Sequence, residues 1–191
     1  MKTVLLLSAL IAAQAPASPP LSDPAAYEVY AAVLPSEWPI RVAHAKRLVI
    51  QRTTTVGQII GGECYPKGTD IQGAWAEALE NYKAQNKTTW ALTNSFQLSV
   101  PYGLESREAI DGFFKDRGLS GWDDFKAAHP DSGGYIQLSA VGFDSTRRYA
   151  IVYVAHMCGG LCGSGQYHFL RLEAGTWREV NLRVTTCGWI S

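Results

Sequence analysis

The chain has 191 residues, 17 of them basic and 17 acidic, and 47% are hydrophobic. That length suits one domain with a core of its own. The balanced charge argues against nucleic acid as a partner, since such binding rests on neutralising phosphates and no basic run exceeds pairs such as Arg147-Arg148.

The first residues read as an export signal. Lys2 gives a short positive region, Val4 to Ala13 is apolar apart from Ser8, and Ala15-Pro16-Ala17 offers small residues for cleavage after Ala17. The apolar run is too short to span a bilayer. Processing would leave 174 residues (191 less 17), with 16 basic and 17 acidic side chains once Lys2 is gone. Residues 18–24 are expected to form a flexible tail and 25–191 a single domain. No second long apolar run follows, so no membrane span is expected after signal removal. The expected location is periplasmic or secreted.

Asp23 and Pro24 read as a helix start, with Tyr27, Tyr30, Ala31 and Leu34 at helical spacing and Pro35 as a stop. Lys46 to Thr55 is β-branched and predicts a strand. Gly57 to Asp70 reads as a glycine-rich loop carrying Cys64. Thr69 or Asp70 would cap a helix over 71–86, where Ile71, Trp75, Ala78, Leu79 and Tyr82 form an apolar stripe. Trp90 to Val100 predicts a second strand, ended by Pro101-Tyr102-Gly103. Short helices are expected over 107–116, starting at Ser106, and over 121–128, where Ser120 and Asp123 match a capping signal.

From Gly134 the pattern changes. Tyr135 to Val141, Tyr149 to Met157, Tyr167 to Glu173 and Trp177 to Thr185 are β-rich, and their short links force antiparallel neighbours. The predicted class is α+β, with helices mainly in the N-terminal half and a four-stranded antiparallel meander in the C-terminal half. The many aromatics, Trp75 and Trp177 among them, read as core. Asp123 and Asp124 diverge as helix neighbours and make a poor acid/base dyad.

The most constrained stretch is Cys158-Gly159-Gly160-Leu161-Cys162-Gly163-Ser164-Gly165. In an oxidising compartment the four cysteines predict two disulfides, with three connectivities open. Closeness in sequence favours Cys158–Cys162, which leaves Cys64 with Cys187. Three other chemistries bear on this stretch. A redox pair normally has two intervening residues at a helix start, and here there are three between strands. A hairpin symmetric about Cys162 would place His156 opposite His168 and complete a zinc-type shell. Gly163, Ser164 and Gly165 could offer amides to an anion. The plainest reading is a disulfide-pinned loop with glycines at positive φ. Asp131-Ser132-Gly133-Gly134 is similar to a serine-protease nucleophile segment, with His44 and Asp70 upstream, yet Pro130 replaces its leading glycine and the context is helical.

Several segments together resemble an uncharacterised group of exported bacterial proteins. They are Tyr135 to Asp144, Ala150 to Val154, the Cys158-Gly-Gly-Leu-Cys162-Gly loop, Trp177 and the closing Trp189-Ile190-Ser191. The likeness extends over most of the chain past the signal. It implies export and carries no catalytic residue and no cofactor; Ala140 stands where that group has a basic residue. The function expected is that of a non-enzymatic exported module for a small-molecule or protein ligand, with His156, His168, Gly163, Ser164 and Gly165 as candidate binding residues and no metal. The alternative is a hydrolase or metal-dependent enzyme at the same loop.

Overall fold

The computed structural model describes residues 17–37 (backbone only at 35–37), 45–55, 73–180 and 188–191. Helix α1, Pro24–Glu37, begins as its sequence dictates. The Asp23 carboxylate accepts the Ala25 N–H at 3.1 Å and Pro24 occupies the first helical position. The helix runs on past Pro35, the predicted stop, to Glu37. Residues 19–21 do not trail as a tail. Ala91 donates to the Pro19 carbonyl and Leu21 to the Ala91 carbonyl, both at 2.8 Å, and Leu21 is buried.

Helix α2, Ala74–Gln85, buries the predicted stripe of Trp75, Ala78, Leu79 and Tyr82. It starts after Gly73 without a side-chain cap, and the expected caps lie outside the described residues. Helix α3, Arg107–Phe114, is capped by the Ser106 hydroxyl, which accepts from the Ala109 N–H. Helix α4, Gly121–Ala128, follows a 3-10 turn at Gly118–Ser120. That turn overrides the predicted Ser120 cap: Ser120 is already helical, and its hydroxyl donates back to the Arg117 carbonyl.

The strands are β1 (Arg47–Gln51), β2 (Tyr102–Glu105), β3 (Ser132–Leu138), β4 (Gly142–Phe143), β5 (Tyr149–Gly159), β6 (Cys162–Glu173), β7 (Thr176–Glu179) and β8 (Gly188–Ile190). They form one sheet in the order β2-β1-β3-β5-β6-β7, with β4 beside β5 and β8 beside β6. The C-terminal meander β3-β5-β6-β7 is antiparallel as predicted. The sheet as a whole is mixed, because β1 lies parallel to both β2 and β3. The strand expected over 90–100 is reduced to a bridge at Ala91. Its successor starts after Pro101, whose carbonyl accepts the Leu48 N–H at 2.9 Å. All four residues of β2 are half-buried, so no alternation announces it.

Alternating residues of the central strands feed opposite layers. Ala150, Val152, Val154 and Leu170 join α1 in one cluster. Ile151, Tyr153, Ala155 and Phe169 join α2 on the other face, where Val49 and Tyr135 meet α4. The fold is thus α+β, with α1 on one side of the sheet and α2, α3 and α4 on the other. No helix among the described residues is long and apolar enough to cross a membrane.

Candidate functional site

The cysteine stretch is a hairpin tip and not an eight-residue loop. Cys158 and Cys162 are disulfide-bonded, with Cα atoms 5.1 Å apart. Cys64 and Cys187 lie outside the described residues. Only Gly160 and Leu161 separate the two strands. Ser164 pairs with His156 on β5 and Ile190 on β8, and Gly165 pairs with Ala155 and Trp189. A strand with partners on both sides has its amides committed to the ladders, so Gly163 to Gly165 do not form an open nest. Nor do these glycines adopt positive φ. They are glycine because a Cβ on Gly165 would collide with the Tyr153 hydroxyl and the Trp189 indole, and one on Gly163 would crowd the same indole. The indole N–H donates to Tyr153 Oη at 2.8 Å, which seats the C-terminal strand on β6.

The same register separates the two histidines. His156 faces Ser164 and His168 faces Val152, so the predicted pairing of His156 with His168 is not formed. Four residues of strand, about 13 Å, lie between them. Both are buried and committed to neighbours. His156 Nε2 is 3.0 Å from the Gly133 carbonyl, which can only accept, so this nitrogen carries the hydrogen. His168 Nδ1 is 2.9 Å from Glu179 Oε1 and ties β6 to β7. The symmetric register fails because Gly163-Ser164-Gly165 belongs to the strand. Ser132, the nucleophile-like residue, donates its hydroxyl to the His129 carbonyl at 2.9 Å, while His44 and Asp70 lie outside the described residues. Among the described residues no group of three or more His, Cys, Asp or Glu is placed to hold a metal.

A different part of the molecule forms a cleft of about 850 Å³. One wall is a face of α2: Glu77, Glu80, Asn81 and Gln85. A second is the N-terminal stretch Pro20 to Asp23 with Ala26. The floor is Ala140, Val141 and Phe143, and the turn Asp144 to Arg147 closes one end. Trp90 stands by Gln85 at the other end, its indole N–H donating to the Gln85 carbonyl at 2.9 Å. A second cleft, about 580 Å³, lies beyond Ser22 and has Glu28 as its one charged lining residue.

The 144–147 turn is built from inside. Asp144 is 3% exposed. Its Oδ1 accepts the Arg148 and Tyr149 N–H groups at 2.7 and 2.8 Å. Its Oδ2 accepts the Thr146 N–H and hydroxyl. Burial opposes ionisation of this carboxyl, but these donors outweigh it and hold it below the usual range. The turn then reaches out on both sides. The Ser145 hydroxyl and N–H donate to Glu77 Oε2 on α2, at 2.7 and 3.1 Å. Those two bonds, the hydroxyl's first, lower the Glu77 carboxyl as well. Arg147 has φ 55°, rare for a side chain with a Cβ. Its guanidinium pairs with Asp23 at 2.5 Å and lies 4.3 Å from the centre of the Phe143 ring. Asn81 Oδ1 accepts the Phe143 N–H at 2.9 Å, fixing the floor to α2.

None of these lining residues reads as a binding residue from the sequence, although Asp23 reads as a helix start and Ala140 as a departure from the resembled group. The local signal is Asp144-Ser145-Thr146, the pattern of an Asp-led turn, but the partners Glu77 and Asp23 lie 68 and 124 residues away in the chain. Chemically the cleft offers hydrogen-bond acceptors, one fixed guanidinium and an aromatic end. Compared with known families, curated proteins and solved structures, the chain finds no match.

Proposed function

We propose that this protein is an exported, non-enzymatic binding module that takes a small polar ligand in the cleft along α2. The observation that carries the reading is the cleft itself, about 850 Å³, walled by the Glu77 to Gln85 face of α2 and by Pro20 to Asp23, with the turn built on Asp144 closing one end. Glu77 and Asp144 are both held towards the ionised form. A general acid needs the opposite shift. Asp144 serves the turn from inside, while the exposed Glu77 carboxylate, held by the Ser145 donors, suits recognition, where an acceptor must be in place before the ligand arrives. The cleft volume falls in the range of small-molecule sites. Export is supported by the leader-like first 17 residues and agrees with a Cys158–Cys162 disulfide. The hydrolase alternative at the cysteine hairpin has less behind it, since His156 and His168 serve separate backbone and strand contacts.

The test is amide chemical-shift mapping with the low-molecular-weight fraction of a bacterial periplasm. Perturbations are expected at residues 77–85 and 140–147. Perturbations confined to the 156–168 hairpin, or consumption of a component of the fraction, would sink the reading.

A further inference from the structure

One edge of the sheet is β2, which runs parallel to β1 with Leu48 opposite Tyr102 and Ile50 opposite Leu104. The Leu48 N–H donates to the Pro101 carbonyl at 2.9 Å and the Arg52 N–H to the Glu105 carbonyl at 2.7 Å. In a parallel ladder alternate residues face the partner strand. Residues 101, 103 and 105 therefore turn their backbone groups to β1, and Tyr102 and Leu104 turn theirs outward. Among the described residues the N–H groups of Tyr102 and Leu104 and the Tyr102 carbonyl have no hydrogen-bond partner. The fourth outward group, the Leu104 carbonyl, accepts from the Arg52 guanidinium at 3.0 Å. A second guanidinium lies on the same strand. Arg47 extends over Gly103, where a Cβ would stand 2.4 Å from its Nη2, so the glycine is what admits it. Among the described residues neither arginine belongs to an ion pair. Over 46–52 and 101–105 the basic residues are Lys46, Arg47 and Arg52 and the acidic one is Glu105, a net charge of +2 (3 less 1).

We propose that β2 is a docking edge for an extended acidic segment of another protein, which adds to the sheet as a further strand and sets its carboxylates against Arg47 and Arg52. The open backbone groups of Tyr102 and Leu104 pair with the incoming main chain, and the guanidiniums select its charge. Charge also decides between occupants. A second copy of this chain would bring one cationic edge against another, and a basic segment meets the same repulsion. A neutral segment leaves both guanidiniums without an anionic acceptor. No residue of β2 lines the cleft along α2, so this surface is separate from it.

Fluorescence anisotropy on the full chain tests this with short labelled peptides capped at both ends. One alternates threonine and glutamate, a second alternates threonine and lysine, and a third is the glutamate peptide with its backbone nitrogens methylated. The glutamate peptide should bind saturably, shift the amide signals of residues 102–105, and weaken as salt rises. The lysine peptide carries the wrong charge and the methylated one cannot pair as a strand, so neither should bind. Arg47→Gln should weaken the glutamate peptide by about tenfold, the effect of losing one charge-assisted hydrogen bond, and Arg47→Glu should weaken it further. Arg47 is exposed, so neither variant disturbs the core, and an unchanged unfolding temperature verifies this. Three results overturn the proposal. The first is no saturable binding of the glutamate peptide, which leaves the cations as a guard against stray pairing. The second is equal binding of the lysine or the methylated peptide, which is attachment without a charge-selected strand. The third is undiminished binding by Arg47→Gln.

Discussion

Two turns in this sheet are held by opposite means. The β5–β6 tip is closed covalently by Cys158–Cys162, and its apex residue Leu161 is 91% exposed. The turn between β4 and β5 has no covalent tie. It is closed by the buried Asp144 carboxylate, and its side chains Ser145 and Arg147 bind α2 and the start of α1. A disulfide constrains two residues and leaves the surrounding side chains idle. A hydrogen-bonded turn constrains itself through one side chain and sends the next ones to neighbouring elements. In this protein the second kind of turn shapes a cleft.

Four substitutions probe that contrast. Asp144→Ala should have the largest effect, about 3 kcal/mol by thermal unfolding, because a buried carboxylate with several donors is lost. The pH dependence has a fixed sign. The folded carboxyl lies below the ordinary aspartate value of 3.8, so its contribution is complete above that value and is lost as pH falls through the lowered folded one. The wild-type chain should therefore lose more stability on acidification below pH 3.8 than Asp144→Ala does. Removing the disulfide by Cys158→Ala with Cys162→Ala should cost about 2 kcal/mol, the loop entropy of so short a ring, with the β5–β6 register retained in amide exchange. Asp23→Ala should cost about 1 kcal/mol through the lost helix cap and an exposed ion pair, and should raise the mobility of the 144–147 turn in relaxation measurements. Leu161→Ser should change stability by less than about 0.5 kcal/mol, as expected of an exposed apex. A Leu161→Ser effect as large as that of Asp144→Ala would invert the comparison.

What could be read from the sequence follows the range of the interactions involved. The α2 stripe and the antiparallel meander are local or near-local patterns, and both are present in the structure. The turn at Ala174 and Gly175 takes the positive φ of a two-residue hairpin at both positions, which glycine adopts freely and alanine rarely does. The parallel pairing of β1 with β2 joins segments some fifty residues apart, Val49 to Gly103 for example, and leaves no periodic trace. The histidine register differs from the symmetric one because glycines normally signal a turn, whereas Gly163 and Gly165 make room for a tryptophan that arrives 24 residues later, Gly165 pairing with Trp189. The cleft was invisible for the same reason. Its walls come from four separate stretches of chain, and the polar residues on α2 each look alone like ordinary surface.

The position of β5 in the sheet also sets the order in which the protein can assemble. It lies between β3 and β6 and carries β4 on its flank, and both α1 and α2 bury apolar side chains against it. Its first residue is Tyr149, so a growing chain has exposed three quarters of its length before the strand that unites its layers is made. Until then neither helix has a complete surface to cover, and the contacts that finish the core are distant in sequence. A chain ending at Arg148 should stay unfolded by circular dichroism and amide exchange. Folding of this protein is therefore a late, nearly all-or-none event that waits on its C-terminal fifth.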